Sequence, residues 1–247
     1  MIKIENCEVM GWEHAIRGMR NPMNSWDKSD SYWTYIENPQ TMNTAKYQFF
    51  VGEEDLKLMK KLAKAGSDHG KFLRYIDVYF DVEAPLYWWK EMETYRVGVA
   101  ENPSDIEFNS CSTMHKIHAK KFELDDFSHE HLIRFENVNG TQHSSTEYLS
   151  LVIFQLNYCR DRYLETKDKK YWWQMIQLLP SSYNQKRTVK MNYQVLKQMY
   201  FARKNHKLDE WRELCDWIES LPYSELITGA AVNVDEGNGT GEENEEQ

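Results

Sequence analysis

The sequence predicts a mixed α/β fold of the α+β type, with one strand-rich segment and several long helices in a single domain. Residues 2–10 and 72–82 alternate apolar and polar side chains, as half-buried strands do. Helical periodicity dominates the second half of the chain. Because the 247 residues contain no tandem repeats and no obvious linker before residue 228, we expect one domain over residues 1–227.

The first half is predicted to alternate between strands, helices and loops. The opening strand at 2–10 leads to a helix over 12–19, and the Asn-, Ser- and Asp-rich stretch 17–33 is expected to form an aromatic-rich loop. Residues 53–65 form an amphipathic helix, with acids in the first turn and a glycine just past its end. The strand at 72–82 follows.

The remaining elements are mainly helical. Pro85 begins a helix over 86–95, and 101–109 is expected to be a loop. Prolines end two of the later helices. The helices predicted in the second half are 146–165, 169–179, 188–203 and 208–220.

The net charge of −9 argues against a protein that coats nucleic acid, so a nucleic-acid partner is not expected. Residues 232–247 hold six acids and no base, and without these six the formal charge is −3. Since this segment has almost no apolar side chain to bury, we expect a disordered acidic tail over 228–247. It either solubilises the chain or binds a partner.

Membrane and metal sites are not expected. No stretch reaches the ~18 apolar residues of a membrane span, and the N-terminus lacks the pattern of a secretory signal. The four cysteines are far apart and lack the CxxC spacing of a zinc site, which predicts a reducing, cytoplasmic location. His115 and His118 are spaced for one helix face but lack a third placed ligand.

The usual catalytic motifs are absent: there is no GxGxxG, P-loop, HExxH or GxSxG. Cys111 has no paired base nearby and is expected to be inert. The tryptophan pairs could stack on a planar ligand, but packing in the core or at a subunit interface is the better expectation. Because apolar side chains are so numerous, we expect an obligate oligomer with some of these tryptophans at the interfaces; the pairs are Trp88–Trp89 and Trp172–Trp173.

Residues 182–206 concentrate basic side chains on a predicted helix and its approach, inside an acidic protein. Such a patch could select a phosphate-bearing ligand, or it could be an ordinary basic helix face paired with acids. The basic residues are Lys186, Arg187, Lys190, Lys197, Arg203 and Lys204.

From about residue 1 to about residue 220 the chain resembles the flavin-dependent thymidylate synthases (ThyX). Ala15-Ile16-Arg17 takes the place of the family's Ala-Arg pair, and the segment 66–72 takes the place of its Gly-His-x-Ser-Pro stretch. Arg96 and the segment 109–114 occupy the family's signature, which begins Arg-His-Arg and here contains an enlarged loop. The C-terminal half matches in spacing: Asn192 follows Pro180 by twelve residues, and Arg203 follows Asn192 by eleven.

The sequence departs from the family at the nucleotide's arginines. Two of these positions fall on Met114 and near Ile176, and the first two residues of the Arg-His-Arg triplet are replaced. Without two guanidinium groups, phosphate binding would be weaker by several kcal/mol unless other bases substitute. The available bases are Lys90, Arg187 and Lys190.

The resemblance implies a single ThyX-like domain with a mixed sheet that assembles as a homotetramer, with flavin sites between subunits. The implied reaction transfers a one-carbon unit from methylenetetrahydrofolate to a pyrimidine deoxynucleotide, dUMP or a relative, with FAD reduced by NADPH as hydride donor. No side chain forms a covalent bond in this chemistry, so no catalytic residue is assigned. The nucleotide would bind Ser112, Arg203 and Arg187, and the flavin pocket would include His69, Arg96, Asn109 and Asn192.

Two alternatives stay open. The chain could be a repurposed scaffold that binds another nucleotide, nucleic acid or protein without catalysis, which the replaced arginines favour. It could also catalyse a related one-carbon transfer, such as hydroxymethylation of a different pyrimidine.

Overall fold

A four-stranded antiparallel sheet forms the centre of the molecule, in the strand order β1-β4-β8-β5. The computed structural model describes residues 1–36, 46–98 and 105–229. Two further two-stranded hairpins, β2–β3 and β6–β7, lie outside this sheet. The strands are β1 (Lys3–Met10), β2 (Tyr32–Ile36), β3 (Lys46–Phe50), β4 (Asp77–Pro85), β5 (Ile106–Ser110), β6 (Glu136–Val138), β7 (Thr141–His143) and β8 (Asn184–Asn192).

Eight helices accompany the strands in the described residues, in agreement with the α/β prediction. Short 3-10 turns occupy Asn21–Met23, Trp26–Lys28, Gly70–Tyr75 and Leu124–Asp126. In the described ranges, no helix is long and apolar enough to cross a membrane. The helices are α1 (Trp12–Arg20), α2 (Glu53–Lys64), α3 (Leu86–Gly98), α4 (Ser145–Thr166), α5 (Lys169–Leu178), α6 (Tyr193–Arg203), α7 (Asp209–Glu219) and α8 (Glu225–Thr228).

The main core lies between one face of the sheet and the helices α1, α2, α3, α6, α7 and α8. Trp88 and Trp89 of α3 are fully buried there, and Trp88 packs against Trp211 of α7 at 5.0 Å between ring centroids. Of the two places expected for the tryptophan pairs, core or subunit interface, Trp88 and Trp89 therefore occupy the core, because the chain's own sheet and helices cover them. A second hydrophobic cluster, centred on Leu156 of α4 and Met175 of α5, joins these two helices to the segment before them.

Several predicted elements differ from the structure. The strand predicted at 72–82 begins only at Asp77, after the 3-10 turn Gly70–Tyr75. Residues 188–192 belong to strand β8 and not to a helix, because alternate side chains such as Val189 and Met191 are buried on one sheet face. The helix begins only at Tyr193, after Asn192 caps it. The predicted loop 101–109 also contains β5, whose pairing with β8 supplies the edge of the sheet. The expected mixed sheet is antiparallel in every described pairing, since each neighbouring strand runs in the opposite direction.

A buried ion pair fixes the segment between α1 and β2. Arg20 Nε donates to Asp55 Oδ1 at 2.6 Å, and both side chains are buried. Ser29 and Ser31 each donate a hydroxyl hydrogen to Asp55 Oδ2 at 2.6 Å. These bonds hold the start of the β2–β3 hairpin against α2. The acidic tail predicted over 228–247 lies outside the described residues from residue 230 onward.

Candidate functional site

Arg187 lies on β8 with its guanidinium fixed in one plane. The guanidinium carbon is 4.3 Å from the centre of the Trp89 ring, a cation–π contact. Its Nε donates to Gln185 Oε1 at 3.1 Å, and its Nη1 donates to the Glu93 carboxylate. Only 12% of the side chain is exposed. Because a guanidinium has five N–H donors and these bonds use two, others remain for a ligand.

Ser112 lies in the loop that follows the edge strand β5, which pairs with β8. Gln185 Nε2 donates to the carbonyl oxygen of Cys111 at 2.6 Å, which ties this loop to β8. Ser112 Oγ accepts from the backbone N–H groups of His115 at 2.9 Å and Met114 at 3.3 Å. The hydroxyl hydrogen can then be donated to His115 Nδ1, 3.4 Å away, or to a ligand.

Asn109 lies on the edge strand β5, and its side chain points to the sheet face opposite to that of Arg187. The register sets Asn109 opposite Thr188 and Ser110 opposite Arg187. Successive side chains of a strand point to opposite faces, so Asn109 shares a face with Thr188, and Arg187 points to the other face of the sheet. The Asn109 side chain is exposed. Three of the predicted ligand residues, Asn109, Ser112 and Arg187, therefore lie around one strand edge.

Arg203 forms a second fixed guanidinium at the end of α6. Its Nε donates to the Tyr95 hydroxyl at 2.7 Å, and its guanidinium carbon is 4.6 Å from the centre of the Trp211 ring. Glu91 Oε2 lies 3.5 Å from Arg203 Nη1 and accepts from the Trp211 indole N–H at 3.1 Å. Burial raises the pKa of Tyr95, and Arg203 acts in the opposite direction. His206 Nε2 is 3.8 Å from the same Glu91 oxygen.

One helix, α3, supplies each arginine with an aromatic ring and a carboxylate, which sequence reasoning missed. Trp89 and Glu93, four residues apart on α3, hold Arg187. Glu91 and Tyr95, again four apart, hold Arg203. Residues four apart lie on one face of a helix. An aromatic residue and an acid at this spacing, twice on one helix, was the signal available in the sequence.

Asn192 and His69 lie at a third place, where β8 passes into α6. Asn192 is 2% exposed, and its Oδ1 accepts from the backbone N–H of Val195 at 3.0 Å, so it acts as the N-cap of α6. His69 is exposed and directly precedes Gly70. An added Cβ on Gly70 would lie 3.9 Å from Gln194 Oε1 in the first turn of α6.

The predicted residues therefore divide among three places in one protomer. The eleven residues from Asn192 to Arg203 span about 16 Å of helix. A single small ring cannot contact both side chains from that separation, whereas an extended ligand or a neighbouring subunit could bridge them. Arg96 follows Tyr95 near the end of α3, and its side chain lies outside the described residues.

The two positions that the resemblance sets against nucleotide-binding arginines carry no charge. Met114 is 51% exposed, and its carbonyl oxygen accepts from the Trp172 indole N–H at 3.1 Å. Ile176 packs against the second hydrophobic cluster. Of the three bases considered as substitutes, Arg187 lies opposite Ser110, two residues before Ser112. Lys90 is exposed on α3, and Lys190 pairs with Asp77 at 3.2 Å.

The expected basic patch is not continuous, because β8 and α6 place its members on different surfaces. Lys186 pairs with Glu5 at 3.2 Å on the outer face of the sheet, the face opposite Arg187. Lys197 Nζ donates to the carbonyl oxygen of Ala63 at 2.6 Å, and burial lowers the pKa of Lys197. The alternative of ordinary basic residues paired with acids fits Lys186 and Lys190.

No protein-family model matches the sequence, and no curated protein does so either. Among solved structures, the chain is similar to the flavin-dependent thymidylate synthase ThyX from Helicobacter pylori complexed with FAD and dUMP, with a TM-score of 0.61 at 14% identity. This similarity covers 92% of this chain and 98% of that one. A second structure of ThyX from the same organism, also with FAD and dUMP, gives 0.60 at 15% identity over 93% and 98%.

The UMP/dUMP methylase PolB from Streptomyces cacaoi, bound with 5-Br UMP, gives a TM-score of 0.53 at 13% identity. This match covers 89% of this chain and 87% of that one. Similarity at such low identity concerns backbone architecture, and it extends over nearly the whole of both chains. The chain therefore has the fold of the flavin-dependent thymidylate synthases.

Proposed function

We propose that the chain is an enzyme that modifies a pyrimidine nucleotide, with FAD as cofactor. The observation that carries this proposal is the shared fold over 92% of the chain with an enzyme solved with FAD and dUMP. The finer proposal is the transfer of a one-carbon unit from methylenetetrahydrofolate to dUMP, with NADPH as reductant. When bound, the reduced flavin supplies hydride and the folate supplies carbon.

The donor set at the β5–β8 edge fits an anionic ligand. Ser112 can donate its hydroxyl hydrogen to a phosphate oxygen while its oxygen caps the turn. Arg187 has unused N–H donors in a plane fixed by Trp89. A planar fork with a permanent charge binds phosphate in two-point geometry. In this proposal Ser112 and Arg187 hold the phosphate, and Arg187 replaces the guanidinium groups lost at Met114 and Ile176.

Arg203 is proposed to hold the base or sugar of the nucleotide. Its side chain is 21% exposed, so part of the guanidinium reaches solvent. Arg96 and Asn109 are proposed to border the pocket, and His69 is a proposed flavin or folate contact. Asn192 is proposed to act through the start of α6, since its own amide is buried as the cap.

The proposed enzyme is a homotetramer with sites shared between subunits. Exposed apolar side chains recur along one face of α4, at Tyr148, Leu151, Phe154 and Tyr158, and Phe154 is 71% exposed. Such a stripe on a 22-residue helix is typical of an interface with another chain. Shared sites would also bring together the three groups of residues that one protomer separates.

A non-catalytic relative is the second candidate, and the apolar residues Met114 and Ile176 favour it. Two measurements on the purified protein separate the candidates. An absorbance spectrum reports bound flavin, and calorimetric titration reports binding of dUMP and of other pyrimidine nucleotides. The enzyme proposal requires both signals. If neither flavin nor any pyrimidine nucleotide binds, the repurposed scaffold takes its place.

Arg187 provides the site-specific test. We expect Arg187→Met to weaken dUMP binding by roughly 1.5–3 kcal/mol, the range for a hydrogen bond to a charged group. The matched control is Lys186→Met, which removes a positive charge from the neighbouring residue on the opposite face of the sheet. Equal losses from the two variants would mean that overall charge, and not contact with Arg187, governs binding.

A further inference from the structure

A cavity of about 700 Å³ lies between the β2–β3 hairpin and the corner where β1 meets α1. Its volume is in the range of small-molecule sites. None of Ser112, Arg187 and Arg203 lines it, so it is separate from the proposed nucleotide site.

Aromatic rings form much of the cavity wall. Trp33 and Phe49 pair across the hairpin, with ring centroids 5.2 Å apart, and both face the cavity with Tyr47. Trp12 and Tyr223 line it from the body of the protein, with centroids 5.0 Å apart. Trp33 and Tyr47 are each more than half exposed, so their rings are accessible to a ligand.

The charge of the lining is negative. Glu8 and Glu13 are the acidic residues of the lining, and no lysine or arginine lines the cavity in the described part of the chain. Glu13 Oε2 accepts from the indole N–H of Trp33 at 3.1 Å, which fixes the orientation of this ring. Neither carboxylate has an ion-pair partner among the described residues, and His14 is the basic side chain that lines the cavity with them.

We propose that this cavity binds a small organic cation, such as an alkylated ammonium group. The negative faces of aromatic rings attract such cations, and carboxylates beside the rings add Coulombic attraction. Nucleotides and folates are anions and would be repelled by the same carboxylates. The cavity is therefore a second site for a ligand of opposite charge to the proposed substrate.

The hairpin is held in place before any ligand arrives. Ser31, directly before β2, donates its hydroxyl hydrogen and its backbone N–H to Asp55 at 2.6 and 3.2 Å. The backbone N–H of Gly52, just after β3, donates to Ser31 Oγ at 2.9 Å. Both ends of the hairpin are thus tied to α2. The binding of a ligand would therefore not carry the entropic cost of ordering the aromatic residues of the hairpin.

The test uses choline as the cationic probe and 3,3-dimethylbutan-1-ol as its uncharged isostere. We expect calorimetric titration of the full chain to show saturable binding of choline and at least about tenfold weaker binding of the alcohol. Glu8→Gln, Glu13→Gln and Trp33→Leu should each weaken choline binding about fivefold, the factor for one exposed charge or cation–π contact. Trp33→Phe keeps a ring and should retain most of the affinity.

Glu136→Gln is the control, because it removes the same charge from the exposed β6–β7 hairpin. Its choline affinity should equal that of the unmodified chain, and choline should leave dUMP binding unchanged. The proposal is overturned if choline does not bind, if the alcohol binds equally well, or if Glu136→Gln weakens binding as much as Glu13→Gln. The presence or absence of flavin does not affect any of these outcomes.

Discussion

Replacing Asp55 by alanine tests whether the buried ion pair holds the loop between α1 and β2. Asp55 is completely buried and accepts hydrogen bonds from Arg20, Ser29 and Ser31. Arg20 is 4% exposed, and its other bond is from Nη1 to the carbonyl oxygen of Ser25 at 3.2 Å. In Asp55→Ala the guanidinium would remain buried without a counter-charge.

The expected loss of stability follows from that unpaired charge. Removing one partner of a buried ion pair costs about 3–5 kcal/mol, whereas removing both charges costs much less. We therefore expect Asp55→Ala to lower the free energy of unfolding by about 4 kcal/mol and the melting temperature by about 10 °C. The double variant Arg20→Met with Asp55→Leu should lose less than Asp55→Ala alone.

Urea unfolding followed by tryptophan fluorescence and by circular dichroism measures both variants. Asp55→Asn is the isosteric control, and we expect an intermediate loss because the amide oxygen still accepts some of these bonds. A loss below about 1 kcal/mol in Asp55→Ala would refute the argument, since it would show that water or side-chain movement compensates the guanidinium. A double variant that loses as much stability as Asp55→Ala, or more, would refute the assigned origin of the loss.

Four further outcomes are expected. Arg203→Ala should weaken dUMP binding by roughly 1.5–3 kcal/mol in calorimetry, and Arg203→Lys should recover only part, because an ammonium lacks the planar fork. Phe154→Glu should shift the oligomer toward smaller species in light scattering, since it places a charge in the apolar stripe of α4. Deleting residues 232–247 should leave the melting temperature and oligomer unchanged; a drop of several degrees would show that the segment docks. The hydrogen bond from the Thr188 hydroxyl lowers the pKa of Asp81 below its ordinary value of 3.8. The ionised Asp81 therefore stabilises the fold above pH 3.8, and this contribution is lost as the pH falls through the lower pKa of the folded state. Asp81→Asn should therefore flatten the acid side of the stability–pH curve.

The sequence predicted most helices because their determinants are local. Residues 53–65 carry a helical stripe, acids in the first turn and a terminal glycine, and α2 occupies Glu53–Lys64. The long helix predicted at 146–165 is α4, whose N-cap Ser144 accepts from the backbone N–H of Glu147. Capping and periodicity act over a few residues, so they can be identified without knowledge of the fold.

The strand β8 was missed because its stability is not local. Its central position between β4 and β5 buries Val189 and Met191, while Lys186 and Lys190 meet acids on the outer face. The basic residues of this segment suggested one charged helix face. Only pairing with two distant strands separates them, because alternate residues of a strand lie on opposite faces.

The α/β class, the single domain, most helices and the spacing of Pro180, Asn192 and Arg203 can be predicted from the sequence alone. The contacts of these side chains depend on the tertiary fold. In the fold, Asn192 caps α6, each arginine contacts an aromatic ring and a carboxylate of α3, and a cavity lined by aromatic residues lies beside β2–β3. Propensity and periodicity act over one or two turns, whereas a binding site joins groups that are far apart in the chain. Arg187 and Glu93, for example, are 94 residues apart.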